Sequence, residues 1–122
     1  MIDKKLILVT DYNEKISKAK ISNRNLEGNS KNSTDTISKA IKKCTKSFQM
    51  YIDIESFVKN ISKHKNDIVF PMKYGENSPN SKSIIPSACE SMGIKYIGAD
   101  DYAHMLCNDK YMSKLFAREF GI

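Results

Sequence analysis

Tryptophan is absent from this 122-residue chain, and glycine (5), proline (3) and cysteine (3) are all scarce. The glycines, Gly28, Gly75, Gly93, Gly98 and Gly121, are each isolated. No GxGxxG, GxxxxGK[ST] or GxSxG sequence is present, so a self-contained dinucleotide or P-loop site is not expected. Cys44, Cys89 and Cys107 are scattered, odd in number and form no CxxC pair. A metal or disulfide framework is therefore not expected, and a reduced cytoplasm is the simplest setting. The sequons at Asn32 and Asn60 are then chance matches. His64 and His104 lack metal-ligand spacing. No apolar run approaches the roughly 20 residues of a membrane span, and the first residues lack the apolar segment of a signal peptide.

Arginine is scarce too. Of 20 Lys+Arg, only Arg24 and Arg118 are arginine. The net charge of +6 lies wholly within residues 1–50, which hold 11 basic and 5 acidic residues. Nucleic-acid readers favour arginine for bidentate contacts, so this lysine excess is read as solvated surface. Neither a nucleic acid nor a membrane is expected as a partner.

What is present is a globular composition, 40% hydrophobic and 28% charged, in a length suited to one domain over residues 1–122. Leu6-Ile7-Leu8-Val9 reads as a buried strand. Residues 11–31 read as a long loop with a helical turn near Lys15–Ala19. Asn32 or Ser33 caps a helix carrying Ile37, Ala40, Ile41, Cys44 and Phe48, with Asp35 in its first turn. Strands follow at Gln49–Ile52, at Ile68–Phe70 closed by Pro71, and at Ile94–Ile97. Helices are expected around Phe57–Ile61, from Ser83 to Gly93, at Asp101–Leu106, and from Asn108 or Asp109 to Gly121. The order β-α-β-α-β-α-β-α, with strands apolar on both faces, predicts a Rossmann-like open parallel sheet of about four strands with helices on both faces. Its ligands belong beyond the carboxyl ends of the strands, at residues 10–31, 72–82 and 98–101.

Several side chains have bland readings. His64 is expected to be solvated at a lysine-rich helix end, His104 at a surface or interface, and Cys44 and Cys89 in the core. Phe116 and Phe120 either pack on the domain's own sheet or need an outside cover. Lys110 is unusual, because a cation in the first turn of a helix opposes the dipole unless it faces an anion.

From Asp67 onward the residues carry a resemblance. Asp67-Ile68-Val69-Phe70-Pro71 is followed by a glycine-containing loop, then Pro86-Ser87-Ala88-Cys89-Glu90-Ser91-Met92-Gly93-Ile94-Lys95-Tyr96-Ile97-Gly98-Ala99 and Asn108-Asp109-Lys110-Tyr111-Met112-Ser113-Lys114. This ordered set resembles the D-alanine–D-alanine ligase family of the ATP-grasp superfamily, in its N-terminal, pre-ATP-grasp domain, over about half of the chain. The resemblance implies a domain on the substrate side of an ATP-dependent carboxylate–amine ligase acting in peptidoglycan precursor synthesis. It implies ATP and Mg2+ in the full-length enzyme and none bound to this portion. The partners implied are ATP-grasp domains of the same polypeptide, an amino-acid substrate and a homodimer.

The site residues come from the same resemblance. Lys110 matches the lysine of the family's "DK" motif that helps bind ATP phosphates. Tyr74 and Gly75 match the His-Gly pair lining the substrate site, with tyrosine in place of histidine. The family's first loop carries a glutamate that holds a substrate amino group; alignment puts Leu26 there, and Glu27 is one residue away. No catalytic residue and no metal ligand is expected within these 122 residues, and the portion alone is expected to be inactive. The missing histidine and first-loop glycine pair leave two alternatives open: a ligase for another amino acid or peptide, and a free-standing, non-catalytic binding module.

Overall fold

The computed structural model describes residues 1–12, 29–72 and 82–122. Among these, four parallel strands and five α-helices alternate. Strand β1 (Leu6–Thr10) is buried along its whole length. It pairs on one side with β2 (Phe48–Tyr51) and on the other with β3 (Ile68–Met72). The last strand, β4, is the dipeptide Lys95–Tyr96, paired with Ile68 and Val69. The sheet order is β2-β1-β3-β4.

Alternation along β1 divides the core into two layers. Ile7 and Val9 face Phe57 of helix α2 (Ile54–Asn60) and Ile85 and Cys89 of helix α3 (Ile84–Ser91). Leu6 and Leu8 face Ile37 and Ile41 of helix α1 (Lys31–Cys44). The chain leaves β1 toward β2 through α1, and returns past β1 to β3 through α2. Crossovers of constant hand that run in opposite directions must lie on opposite faces, and they do. The expected Rossmann-like sheet with helices on both faces is thus the observed fold.

Several boundaries differ from the sequence reading. Helix α1 is capped by Ser30, whose hydroxyl accepts from Ser33 N at 3.1 Å, rather than by Asn32 or Ser33. Asp35 therefore lies beyond the first turn. Cys44 is exposed rather than a core residue, because it is the last residue of α1 and its carbonyl turns to accept from Ile2 N at 2.7 Å. Pro71 does not close β3, which continues to Met72. Here β4 has already ended, so the strand edge beside Pro71 needs no N–H from it.

His64 is not solvated. It ends a 3-10 turn (Ile61–His64) that continues α2, and only 3% of its surface is exposed. Phe57 stacks on its ring, and Tyr51 and Asp67 bond its two nitrogens. The lysines that suggested a wet helix end, Lys63 and Lys65, point outward while the imidazole turns in.

The last two helices, α4 (Asp101–Asn108) and α5 (Lys110–Glu119), contain no fully buried residue. Each begins on an aspartate cap. Asp100 accepts from Ala103 N, and Asp109 accepts from Tyr111 N and Met112 N. Ser87 in α3 donates to Asp101 at 2.7 Å and fastens the start of α4. Phe116 and Phe120 pair with each other at 5.1 Å between ring centroids, and both remain exposed rather than packed on the sheet. No helix among the described residues is long and apolar enough to cross a membrane.

Candidate functional site

In an open parallel sheet, neighbouring connections that diverge to opposite faces leave a crevice beyond the carboxyl ends of the strands. The order β2-β1-β3-β4 puts that switch point between β1 and β3. The residues there are Thr10 and its successor Asp11, Met72 at the end of β3, and Asn29 and Thr34 at the approach to and start of α1.

The crevice is polar and closely satisfied. Thr10 is fully buried and lies 3.5 Å from the buried Thr34 hydroxyl. Thr10 Oγ1 also accepts from Tyr12 N at 3.4 Å. Asp11, a buried carboxylate, accepts at Oδ1 from Asn29 N at 3.2 Å and from Asn29 Nδ2 at 2.7 Å. Asn29 Nδ2 donates in addition to the Met72 carbonyl. A buried carboxylate is costly unless hydrogen-bonded, and Asn29 offers donors from both backbone and side chain. Beside this cluster, the first turns of α1 carry a shallow, open depression lined by Asn32, Ser33, Thr36 and Ile37.

These crevice residues were not singled out individually by the sequence reading, although residues 10–31 and 72–82 were marked as ligand-side segments. The usable signal was positional: Asp11 directly follows the most apolar strand, which places it at the strand's carboxyl end.

Of the residues implied by the resemblance, Lys110 is described. It is the first residue of α5 and is exposed. The amides of Tyr111 and Met112 already donate to Asp109, so the positive end of this helix holds its own cap. A phosphate arriving there would be met by the Lys110 ammonium rather than by those amides. No hydrogen bond joins Lys110 to the Asp11 cluster among the described residues. Glu27, Tyr74 and Gly75 lie outside the described residues, as does the turn expected near Lys15–Ala19.

Elsewhere, Tyr96 of β4 donates to Glu90 of α3. That bond, with burial and nearby carboxylates adding to it, pushes the phenol up to about 12. The pair holds the short strand to its helix. Among the described residues no group of three or more His, Cys, Asp or Glu side chains is placed to hold a metal ion.

No protein-family profile matches the chain, and no solved structure matches it. Among curated proteins, a D-alanine–D-alanine ligase from Coprothermobacter proteolyticus is 33% identical over 69 residues. The matched stretch is 57% of this chain and 22% of that ligase. Over that stretch, then, an α/β chain with a polar crevice at its switch point is similar to a D-alanine–D-alanine ligase.

Proposed function

We propose that this chain is the substrate-side, N-terminal domain of a D-alanine–D-alanine ligase-like, ATP-dependent carboxylate–amine ligase. The observation that carries the reading is the 33% identity over 69 residues to a named ligase. Two features support it: the ordered motifs from Asp67 to Lys114, and a parallel sheet with a polar crevice at its switch point.

The chemistry of such a ligase has two steps. The γ-phosphoryl group of ATP passes to a substrate carboxylate, forming an acyl phosphate and ADP. An amine then attacks the acyl carbon, an amide bond forms, and inorganic phosphate leaves with the electron pair of the broken C–O bond. The part of this domain is to wall the amino-acid pocket with Tyr74 and Gly75, to meet a substrate ammonium with Glu27, and to offer Lys110 to phosphate oxygens. A fixed cation lowers the cost of charge spreading over the transferring group. ATP and magnesium would be held chiefly by ATP-grasp domains of a longer polypeptide working in the cytoplasm, and the 122 residues alone would form no dipeptide.

A second reading within the same chemistry takes a different amino acid or peptide as substrate. The tyrosine at position 74 in place of the family's histidine, and the lack of a glycine pair over Val9-Thr10-Asp11-Tyr12-Asn13, favour it. Residues 1–122, exchanged for the equivalent part of the Coprothermobacter ligase, test both readings. ATP-dependent phosphate release with D-alanine supports the first, and release only with other amino acids or peptides supports the second. A folded chimera that releases no phosphate with any of them sinks both, and leaves a non-catalytic binding module.

A further inference from the structure

We infer that the face formed by the amino ends of the strands is a docking surface for an anionic lipid membrane. Along the sequence the lysine excess reads as solvated surface, but the fold gathers part of it. In a parallel sheet all strands begin at one end, so the connections leading into them share a face. Each of these connections carries exposed lysine: Lys4 before β1, Lys43 and Lys46 before β2, Lys63 and Lys65 before β3, and Lys95 opening β4. Hydrogen bonds draw three of the connections together. Lys4 Nζ donates to the Asn66 carbonyl at 3.1 Å, the Thr45 hydroxyl donates to the Lys4 carbonyl at 2.7 Å, and Ile68 N–H donates to the Lys5 carbonyl at 3.0 Å.

Many of the acids stand at the other end. Asp11 follows β1, Asp53 and Glu55 open α2, and Asp100 and Asp101 open α4, all beyond the carboxyl ends of strands. At the lysine end, Asp67 is bonded to His64, Glu90 accepts from Tyr96, and Asp3 is exposed. The lysines outnumber these acids, and among the described residues none of the six is paired with a carboxylate.

The chemistry of the face selects its occupant. Lysine is a compact point charge that suits a diffuse field of phosphate headgroups, whereas the arginine fork suits base edges. The exposed aromatic rings that could stack on bases, Tyr102, Tyr111, Phe116 and Phe120, lie on α4 and α5. Beside the lysines stand aliphatic tips instead. Ile2, whose N–H donates to the Cys44 carbonyl at the end of α1, is 39% exposed, and Met1 is 80% exposed. Apolar side chains ringed by lysine match the boundary between anionic headgroups and acyl chains. Docking by this end leaves the crevice, at the opposite end of the sheet, turned to solution. The inference does not depend on the ligase reading.

Cosedimentation of the 122-residue chain with vesicles tests the face. The chain should bind vesicles of about 30% phosphatidylglycerol in phosphatidylcholine at about 0.1 M salt. It should leave them at about 1 M, where the screening length falls from about 10 Å to about 3 Å. Pure phosphatidylcholine should bind at least about tenfold more weakly. Lys31 and Lys43 stand at opposite ends of α1, about 18 Å apart by helical rise. Lys43→Glu should weaken binding about tenfold and Lys31→Glu less than about twofold, although both change the net charge equally. Both side chains are exposed, so both variants should keep the parent's melting temperature. Equal losses in the two variants would overturn the inference, since net charge alone would then account for binding. So would no binding to the anionic vesicles, or retention at high salt. A mixed-sequence DNA duplex bound as tightly at the same salt would reassign the face to nucleic acid and overturn it as well.

Discussion

Tyr51, at the carboxyl end of β2, and His64, at the end of the turn after α2, meet at 2.8 Å between the phenolic oxygen and Nε2. Asp67 accepts from the other nitrogen, Nδ1, at 2.8 Å. A carboxylate at Nδ1 holds the proton there in the neutral ring, so Nε2 is an acceptor and Tyr51 is the donor. Phe57 lies nearly parallel to the imidazole, at 6.4 Å between ring centroids, and meets the Tyr51 ring edge-on. Two residues, Tyr51 and Asp67, thus satisfy one buried histidine, and no buried side-chain polar atom of the described residues is left without a partner.

Removing the donor tests that arrangement. Tyr51→Phe keeps the ring and strands Nε2, and should cost about 1–2 kcal/mol. His64→Ala also opens a cavity beneath Phe57 and should cost about 2–4 kcal/mol. Urea unfolding of the two variants checks the order; a Tyr51→Phe loss equal to that of His64→Ala would deny the cavity contribution.

The centre of the same layer is Phe57, fully buried against β1. Phe57→Ala should lower the unfolding free energy by about 3–5 kcal/mol, which is a large share of a small domain's stability. Phe120→Ser, on the exposed end of α5, should change it by less than about 0.5 kcal/mol. Thermal melts of the two proteins compare an aromatic ring that holds the core with one that faces solvent.

Cys89 lies wholly inside, and burial, with the Glu90 charge adding to it, pushes its thiol from 9.0 up to about 11. The native chain should react with iodoacetamide at Cys44 and Cys107, both exposed, while Cys89 reacts only after unfolding. Because the folded state holds this proton more tightly than the unfolded state, its contribution to stability is fully present below pH 9. It is lost as the pH rises through about 11. Cys89→Ala should therefore flatten the fall in stability across that window, as read by denaturant unfolding at successive pH values.

Lys110→Ala tests the phosphate role in the chimeric ligase. The side chain is exposed, so the melting temperature should be unchanged. The KM for ATP should rise, or kcat should fall, by about tenfold or more. An unchanged ATP dependence would assign Lys110 to the solvated surface.

Much of the fold was legible because its signals are local. Four consecutive apolar residues before Thr10-Asp11 can hardly be anything but a central strand, and Asn108-Asp109 marks the start of α5, where Asp109 proves to be the cap. The strand at Ile68 and the helix after Ser83 follow from the same kind of pattern. Where local signals compete, the reading slipped. Ser30, Asn32 and Ser33 are all good caps, and the choice among them depends on where the chain arrives from Asp11. His64 stands in a run whose lysines advertise solvent, and nothing in that run reveals Tyr51, which is 13 residues away.

The candidate site divides along the same line. Lys110 could be reached from a motif read along the chain. The hydrogen bonds of Asn29 to Asp11 and Met72 could not, because the partners are 18 and 43 residues away and neither spacing has a local meaning. Sequence by itself determined the order of elements, the parallel sheet and the likeness to a ligase, since hydrophobic period, caps and motifs are properties of neighbours. Only the tertiary structure decided which polar groups meet at the switch point and that His64 is buried. It alone showed that Phe116 and Phe120 stay uncovered. Those outcomes depend on which strand ends the parallel register brings side by side, and no single segment encodes that.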